Sequence, residues 1–186
     1  MPDIDDRVIS YWGSERLYRW RQDSVESAGI SSETKQFLTN IGLPCHSNMI
    51  GLFMIDWDRD LSPETSRPGT RHLTKSGTFS LDESGGKVIR ISSKGIPGGV
   101  ARPESVYNTT IYLFAASLTE YHKYLSGVAP YIDINLGTRS VKEQCVKTIY
   151  NVDILESKLL EIDGLALSAS NSGWKRRLDD IRADCE

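Results

Sequence analysis

The chain has 186 residues, 39% of them hydrophobic and 25% charged, an ordinary globular composition that excludes a disordered or fibrous protein. Its net charge of −3 and pI near 5.7 count against direct binding to nucleic acid, whose phosphates demand a basic face. No apolar stretch approaches the roughly 20 residues that cross a bilayer, and the opening Met1-Pro2-Asp3-Ile4-Asp5-Asp6-Arg7 is acidic where a signal peptide is basic, so the expectation is a cytoplasmic protein with no membrane partner.

Residues 1–30 carry Tyr11, Trp12, Leu17, Tyr18 and Trp20 among charges. They read as a peripheral extension of a single domain spanning 1–186, with a short helix laying Trp12 or Trp20 over the domain edge. The next segment is clearer. Ser31-Ser32-Glu33 offers an N-cap and an early acidic residue for the helix dipole. Phe37, Leu38 and Ile41 follow at helical spacing. Gly42 supplies a left-handed stop and Pro44 prevents continuation, which predicts a helix over residues 33–41.

Ile50 to Ile55 is apolar on both faces and predicts a central strand. Residues 56–70 read as a loop. Thr78–Leu81 and Val88–Ile91, joined by Asp82-Glu83-Ser84-Gly85-Gly86, predict a β-hairpin. Lys94–Pro103 is another loop, broken by Gly95, Pro97, Gly98 and Gly99. Asn108 is read as the N-cap of a helix whose stripe is Ile111, Phe114, Leu118, Tyr121 and Leu125, ended by Gly127 and Pro130. Ser140-Val141-Lys142-Glu143 is a capping box opening a helix through Val141, Cys145, Ile149 and Val152. That helix either runs on or restarts through Leu155, Leu159 and Ile162. A last helix carries Trp174, Leu178 and Ile181. Helix, strands, then helices predict an α+β fold, a mainly antiparallel sheet with helices packed on one side.

The residues give little sign of catalysis. His122 beside Tyr121 reads as a solvated or half-packed helical imidazole, His72 among Arg71 and Lys75 shows no partner in the sequence, and Cys45 beside His46 points the opposite way on an extended chain. Cys45, Cys145 and Cys185 are scattered without metal-type pairing and read as reduced thiols. Lys94-Gly95-Ile96-Pro97-Gly98-Gly99 matches no phosphate-loop order, and Pro97 removes an N–H that such a cradle would use. Asp56-Trp57-Asp58-Arg59-Asp60 has alternating carboxylates but lacks the glycine and distal glutamate of a calcium loop. It reads as a solvated acidic loop or a partner-binding loop. No metal, cofactor or enzymatic activity is expected.

Several blocks together resemble a known family. Thr34-Lys35-Gln36-Phe37-Leu38-Thr39-Asn40-Ile41-Gly42-Leu43-Pro44 resembles the opening motif of the fourth family of the SUKH superfamily, composed largely of bacterial immunity proteins that neutralise polymorphic toxins. Leu81 to Val88 is similar to that family's strand-turn-strand. Asn108-Thr109-Thr110-Ile111, leading into Phe114 and Leu118, resembles its asparagine-capped helix. Glu161-Ile162-Asp163 followed by Trp174 is similar to its closing segment. The blocks run in order over residues 33–182.

The resemblance implies a SUKH-like fold, no catalysis, and a cognate toxin domain as partner, a nuclease or deaminase being the common case. An acidic inhibitor would complement the basic cleft of a nucleic-acid-cleaving toxin. The docking residues expected from the sequence are Asp56, Trp57, Asp58 and Asp60, which pair an aromatic anchor with charges suited to a basic target. Two alternatives stay open: a scaffold or regulatory protein-binding module of the same fold, and a small-molecule enzyme working near Lys94–Gly99.

Overall fold

The computed structural model describes residues 4–45, 56–63, 68–75, 79–84, 86–90, 104–128 and 141–183. Helix α1 (Ile4–Trp12) turns Val8 and Trp12, one helical turn apart, into the core. Trp12 Nε1 donates to Thr119 Oγ1 at 2.9 Å. A 3-10 turn leads into strand β1 (Leu17–Tyr18) and then the short helix α2 (Gln22–Glu26). Leu17, Trp20, Val25, Ala28 and Ile30 are buried as well. The expectation of a peripheral extension is therefore corrected. The charges dilute the apolar pattern along the sequence, yet the two tryptophans each bring ~150–250 Å² of surface that gains most by burial.

Helix α3 (Ser32–Asn40) forms as its caps predict, with Ser31 Oγ accepting from Thr34 N and Phe37 and Leu38 facing inward. Gly42, at φ 85, closes the last turn by donating its N–H to the Phe37 carbonyl at 2.8 Å. The chain then runs straight into strand β2 (Leu43–Pro44), which pairs antiparallel with β1.

The main sheet has four antiparallel strands in the order β3 (Thr70–His72), β4 (Phe79–Asp82), β5 (Val88–Arg90) and β6 (Ser105–Asn108). β4 and β5 are the hairpin expected from the turn chemistry. The outer two strands were hidden, β3 within and just beyond the stretch read as a loop. Three or four residues give too few alternations to display a period, and Thr-Arg-His is not strand-like composition. Phe79, Leu81, Val88 and Tyr107 belong to the main core cluster. Ser80 and Ile89, paired on the opposite face, are also fully buried, so the sheet is covered on both sides.

Helix α4 (Ile111–Val128) packs its stripe on the sheet, with Phe79 and Phe114 ring centroids 5.4 Å apart. Its N-cap is Thr110, whose hydroxyl accepts from Leu113 N at 3.3 Å, not Asn108 as the sequence suggests. Asn108 instead ends β6 and is fully buried. Helix α5 (Val141–Ser168) runs on through Leu155, Leu159 and Ile162; Asp163, at φ −150 and ψ 75, breaks it just beyond them, and the helix restarts after the break. Helix α6 (Gly173–Ala183) buries Trp174, Leu178 and Ile181 as expected. One core cluster joins Val8 of α1 to Ile181 of α6, and the class is α+β. Among the described residues no helix is long and apolar enough to cross a membrane. The strand expected over Ile50–Ile55, the Lys94–Pro103 loop, His46, Ser140 and Cys185 lie outside the described residues, as does the side chain of Cys145.

Candidate functional site

The acidic run forms a tight turn clamped from below by two tryptophans. Trp57 is only 4% exposed, and its Nε1 donates to the Pro44 carbonyl at 3.0 Å. Trp20 packs edge-on against it at 5.7 Å and donates its own Nε1 to the Asp58 carbonyl at 2.6 Å. Asp58 N donates to Leu73 O and Lys75 N to Asp56 O, which ties the turn to the chain beyond β3. Trp57 is thus part of the core and cannot serve as the exposed anchor the sequence suggested. An indole flanked by aspartates looks solvated in sequence, but successive residues on an extended segment point opposite ways. The inward one meets Trp20.

The three carboxylates have different fates. Asp56 pairs with Lys75 at 2.8 Å, both side chains more than half exposed. Asp58 points back into the turn: Oδ1 accepts from Asp60 N at 3.2 Å and Oδ2 from Ser62 N at 2.8 Å. Asp60 is exposed. Asp58 is therefore a structural residue of the turn, and only Asp56 and Asp60 are presented outward with Arg59.

Partial burial pushes the Asp58 carboxyl up, but hydrogen bonds from Ser62 and Asp60, with His72 nearby, outweigh it and hold the group below the usual value. A depressed folded value means the ionised carboxylate adds stability above the unfolded value near 4, lost as pH falls through the lower folded value. Asp58→Asn keeps one acceptor oxygen and loses the other. It is expected to cost about 0.5–2 kcal/mol at neutral pH, by analogy with a capping residue. Melting curves from neutral pH down should show the gap to wild type closing as the solution becomes more acidic than the folded Asp58 value.

An aromatic that sequence reasoning missed borders this turn. Tyr18 is half-buried in β1, edge-on to Trp20 at 4.7 Å. Burial raises its phenol above the ordinary value, with Arg59 opposing and Asp60 and Asp58 adding to the rise. Those charges place Tyr18 at the edge of the acidic turn. The signal was weak, since Tyr18 sits in a two-residue strand whose partner, Leu43, lies far along the chain.

A second concentration of polar groups is internal. Asp163, 6% exposed, accepts through Oδ2 from Thr109 N at 2.7 Å, Thr109 Oγ1 at 3.0 Å and Asn108 Nδ2 at 3.2 Å. Its Oδ1 accepts from Ala166 N at 3.1 Å, capping the restarted segment of α5. Asn108 Nδ2 also donates to Ser117 Oγ, while Asn108 Oδ1 accepts from Trp174 Nε1 at 2.9 Å. Every polar atom is used to join β6, α4, α5 and α6. The network draws its members from the Asn108-Thr109 and Ile162-Asp163/Trp174 blocks.

His122 sits apart from both groups of residues, whereas His72 borders the acidic turn, its backbone N–H donating to the Ser62 carbonyl at 2.8 Å. His122 bonds Tyr11 OH through Nδ1 at 2.9 Å, and His72 Nδ1 lies 3.4 Å from Ser80 Oγ. Among the described residues no three His, Cys, Asp or Glu side chains group to hold a metal ion. Compared with known proteins, the chain matches no family model, no curated protein and no solved structure.

Proposed function

We propose that the chain is a bacterial immunity protein of the SUKH type that binds and neutralises a cognate toxin domain, a nuclease or deaminase, by protein–protein contact without catalysis. The observation that carries the reading is the preformed acidic turn. Trp20 and Trp57 hold its backbone on the core, so docking spends little conformational entropy on ordering it. Asp56 and Asp60 face outward on a chain of net charge −3, and Tyr18 stands beside them as a half-buried aromatic of the type enriched at interface hot spots. A basic toxin cleft is the complementary surface. Docking there supplies steering in the encounter and a carboxylate-rich cover over the catalytic groove. The block resemblance around Thr34–Pro44 and Asn108–Ile111 points to the same class of partner.

The test is binding kinetics against the cognate toxin domain, at two salt concentrations. Asp56→Lys combined with Asp60→Lys should slow association about tenfold, because exposed charges steer encounter. The melting temperature should hardly move, because an exposed ion pair adds about 0–1 kcal/mol. Tyr18→Ala should act on dissociation instead. Asp58 is left intact because its carboxylate builds the turn. Unaltered association by the double lysine variant would remove the acidic turn from the interface.

A further inference from the structure

A cleft of about 380 Å³ lies along α3 where α1 and α4 meet it. Its floor is apolar: Ile4 from α1, Phe37 and Ile41 from α3 and its end, and Tyr112 from α4, with the Phe37 and Tyr112 rings 6.2 Å apart. Its rim is polar and one-signed. The charged lining residues are Asp5 and Glu33, and the amides of Gln36 and Asn40 complete the edge. Glu33 is exposed and has no ion-pair or hydrogen-bond partner among the described residues. Phe37 belongs to the core cluster and the partly buried Ile4, Ile41 and Tyr112 pack against it, so the cleft is a standing feature of the fold.

We infer that this cleft is an anchor pocket for one arginine side chain of the basic protein partner, an inference that rests on the protein-binding reading above. The chemistry selects that occupant. An arginine has a three-methylene stem to lie on Ile4, Phe37 and Ile41, which is how long cationic side chains cover apolar surface. Its planar guanidinium offers five donors to the Glu33 carboxylate and the amide oxygens of Gln36 and Asn40. Tyr112 lines the cleft with an aromatic ring of the kind guanidinium groups favour. A carboxylate or phosphate ligand would meet Asp5 and Glu33, like charges on the rim. A wholly apolar side chain would leave the Glu33 carboxylate without a partner. Arg19, the neighbour of Tyr18, donates through Nε to the backbone carbonyl of Asn40 at the cleft edge, at 2.9 Å.

The experiment is an amide-detected NMR titration of the full chain with N-acetyl-arginine amide, with the norleucine and lysine amides as controls. Saturable shifts of the Gln36 and Asn40 side-chain amides are expected with the arginine probe and not with norleucine. Glu33→Gln should weaken that binding about tenfold, the usual loss for one charge-assisted contact. Absent or non-saturating shifts, equal shifts from norleucine or lysine, or an unchanged Glu33→Gln variant would each overturn the assignment. Toxin binding separates this idea from the functional reading. If wild type binds the toxin domain and Glu33→Arg binds it equally well, the pocket is wrong and the immunity reading stands. If wild type does not bind the toxin domain, the immunity reading falls, and the amide titration still decides whether the cleft takes arginine.

Discussion

Gly42→Ala is expected to destabilise the protein by about 4 kcal/mol or more, at the extreme of single-substitution effects. For a chain of this size that corresponds to a melting temperature lower by on the order of 10 °C. Two costs combine. Gly42 has φ 85, a left-handed conformation that a residue with a Cβ adopts at a cost of about 1–2 kcal/mol. A Cβ added there would also lie 2.1 Å from the Tyr18 carbonyl oxygen and 2.7 Å from its carbon. Those are backbone atoms of the β1–β2 pair, so they cannot swing aside as a flexible side chain would. Relieving the clash means separating β1 from β2 and loosening the floor beneath Trp20 and Trp57. Gly69→Ala is the control: Gly69 has φ 79 but nothing within 4 Å of its added Cβ. It should cost only the conformational part. Thermal unfolding followed by circular dichroism measures both, and equal losses would mean that the Tyr18 carbonyl does not press on Gly42.

Asp163→Ala is expected to cost about 3–5 kcal/mol, the range for breaking a buried polar network from one side. The alanine removes the acceptor for Thr109 N, Thr109 Oγ1, Asn108 Nδ2 and Ala166 N at once. Asn108 retains Ser117, but the Thr109 amide loses the short bond that holds the β6–α4 junction, and the restarted segment of α5 loses its cap. Such groups are expensive to leave unpaired because the interior offers no water to replace the partner. Asp163→Asn should fall between wild type and alanine, since one oxygen survives while an amide group faces donors. Urea denaturation reads the effect as a lower midpoint at unchanged slope. An Asp163→Ala/Asn108→Ala double variant should lose less than the sum of the two singles, because the residues share one network. A midpoint shift worth under about 1 kcal/mol for Asp163→Ala would mean that the carboxylate is not seated as described.

Helices α3 and α6 were legible because everything that makes them helices is local. The Ser31 cap, the Phe37–Leu38 pair and the Gly42 stop lie within a dozen positions, and Trp174, Leu178 and Ile181 fall on one face by spacing alone. The β4–β5 hairpin was legible for the same reason, through its turn residues. Strands β3 and β6 were not, because their partners and not their own residues make them strands. Their few residues become strands only when β4 and β5 present free edges.

The same division separates the two halves of the acidic run. Its charge was readable, and so was its position between elements. The inward turn of Trp57 was not, since it depends on the Pro44 carbonyl 13 residues earlier and on the ring of Trp20. Asn108 offered the sharper trap. As a good capping residue before an apolar stripe it was read as a cap, while Thr110 does that work and Asn108 bonds Asp163 55 positions away. Sequence patterns carry the preferences of neighbours within about one helical turn. A buried polar side chain instead chooses among every donor and acceptor that folding brings near it, and only the packed chain determines which those are.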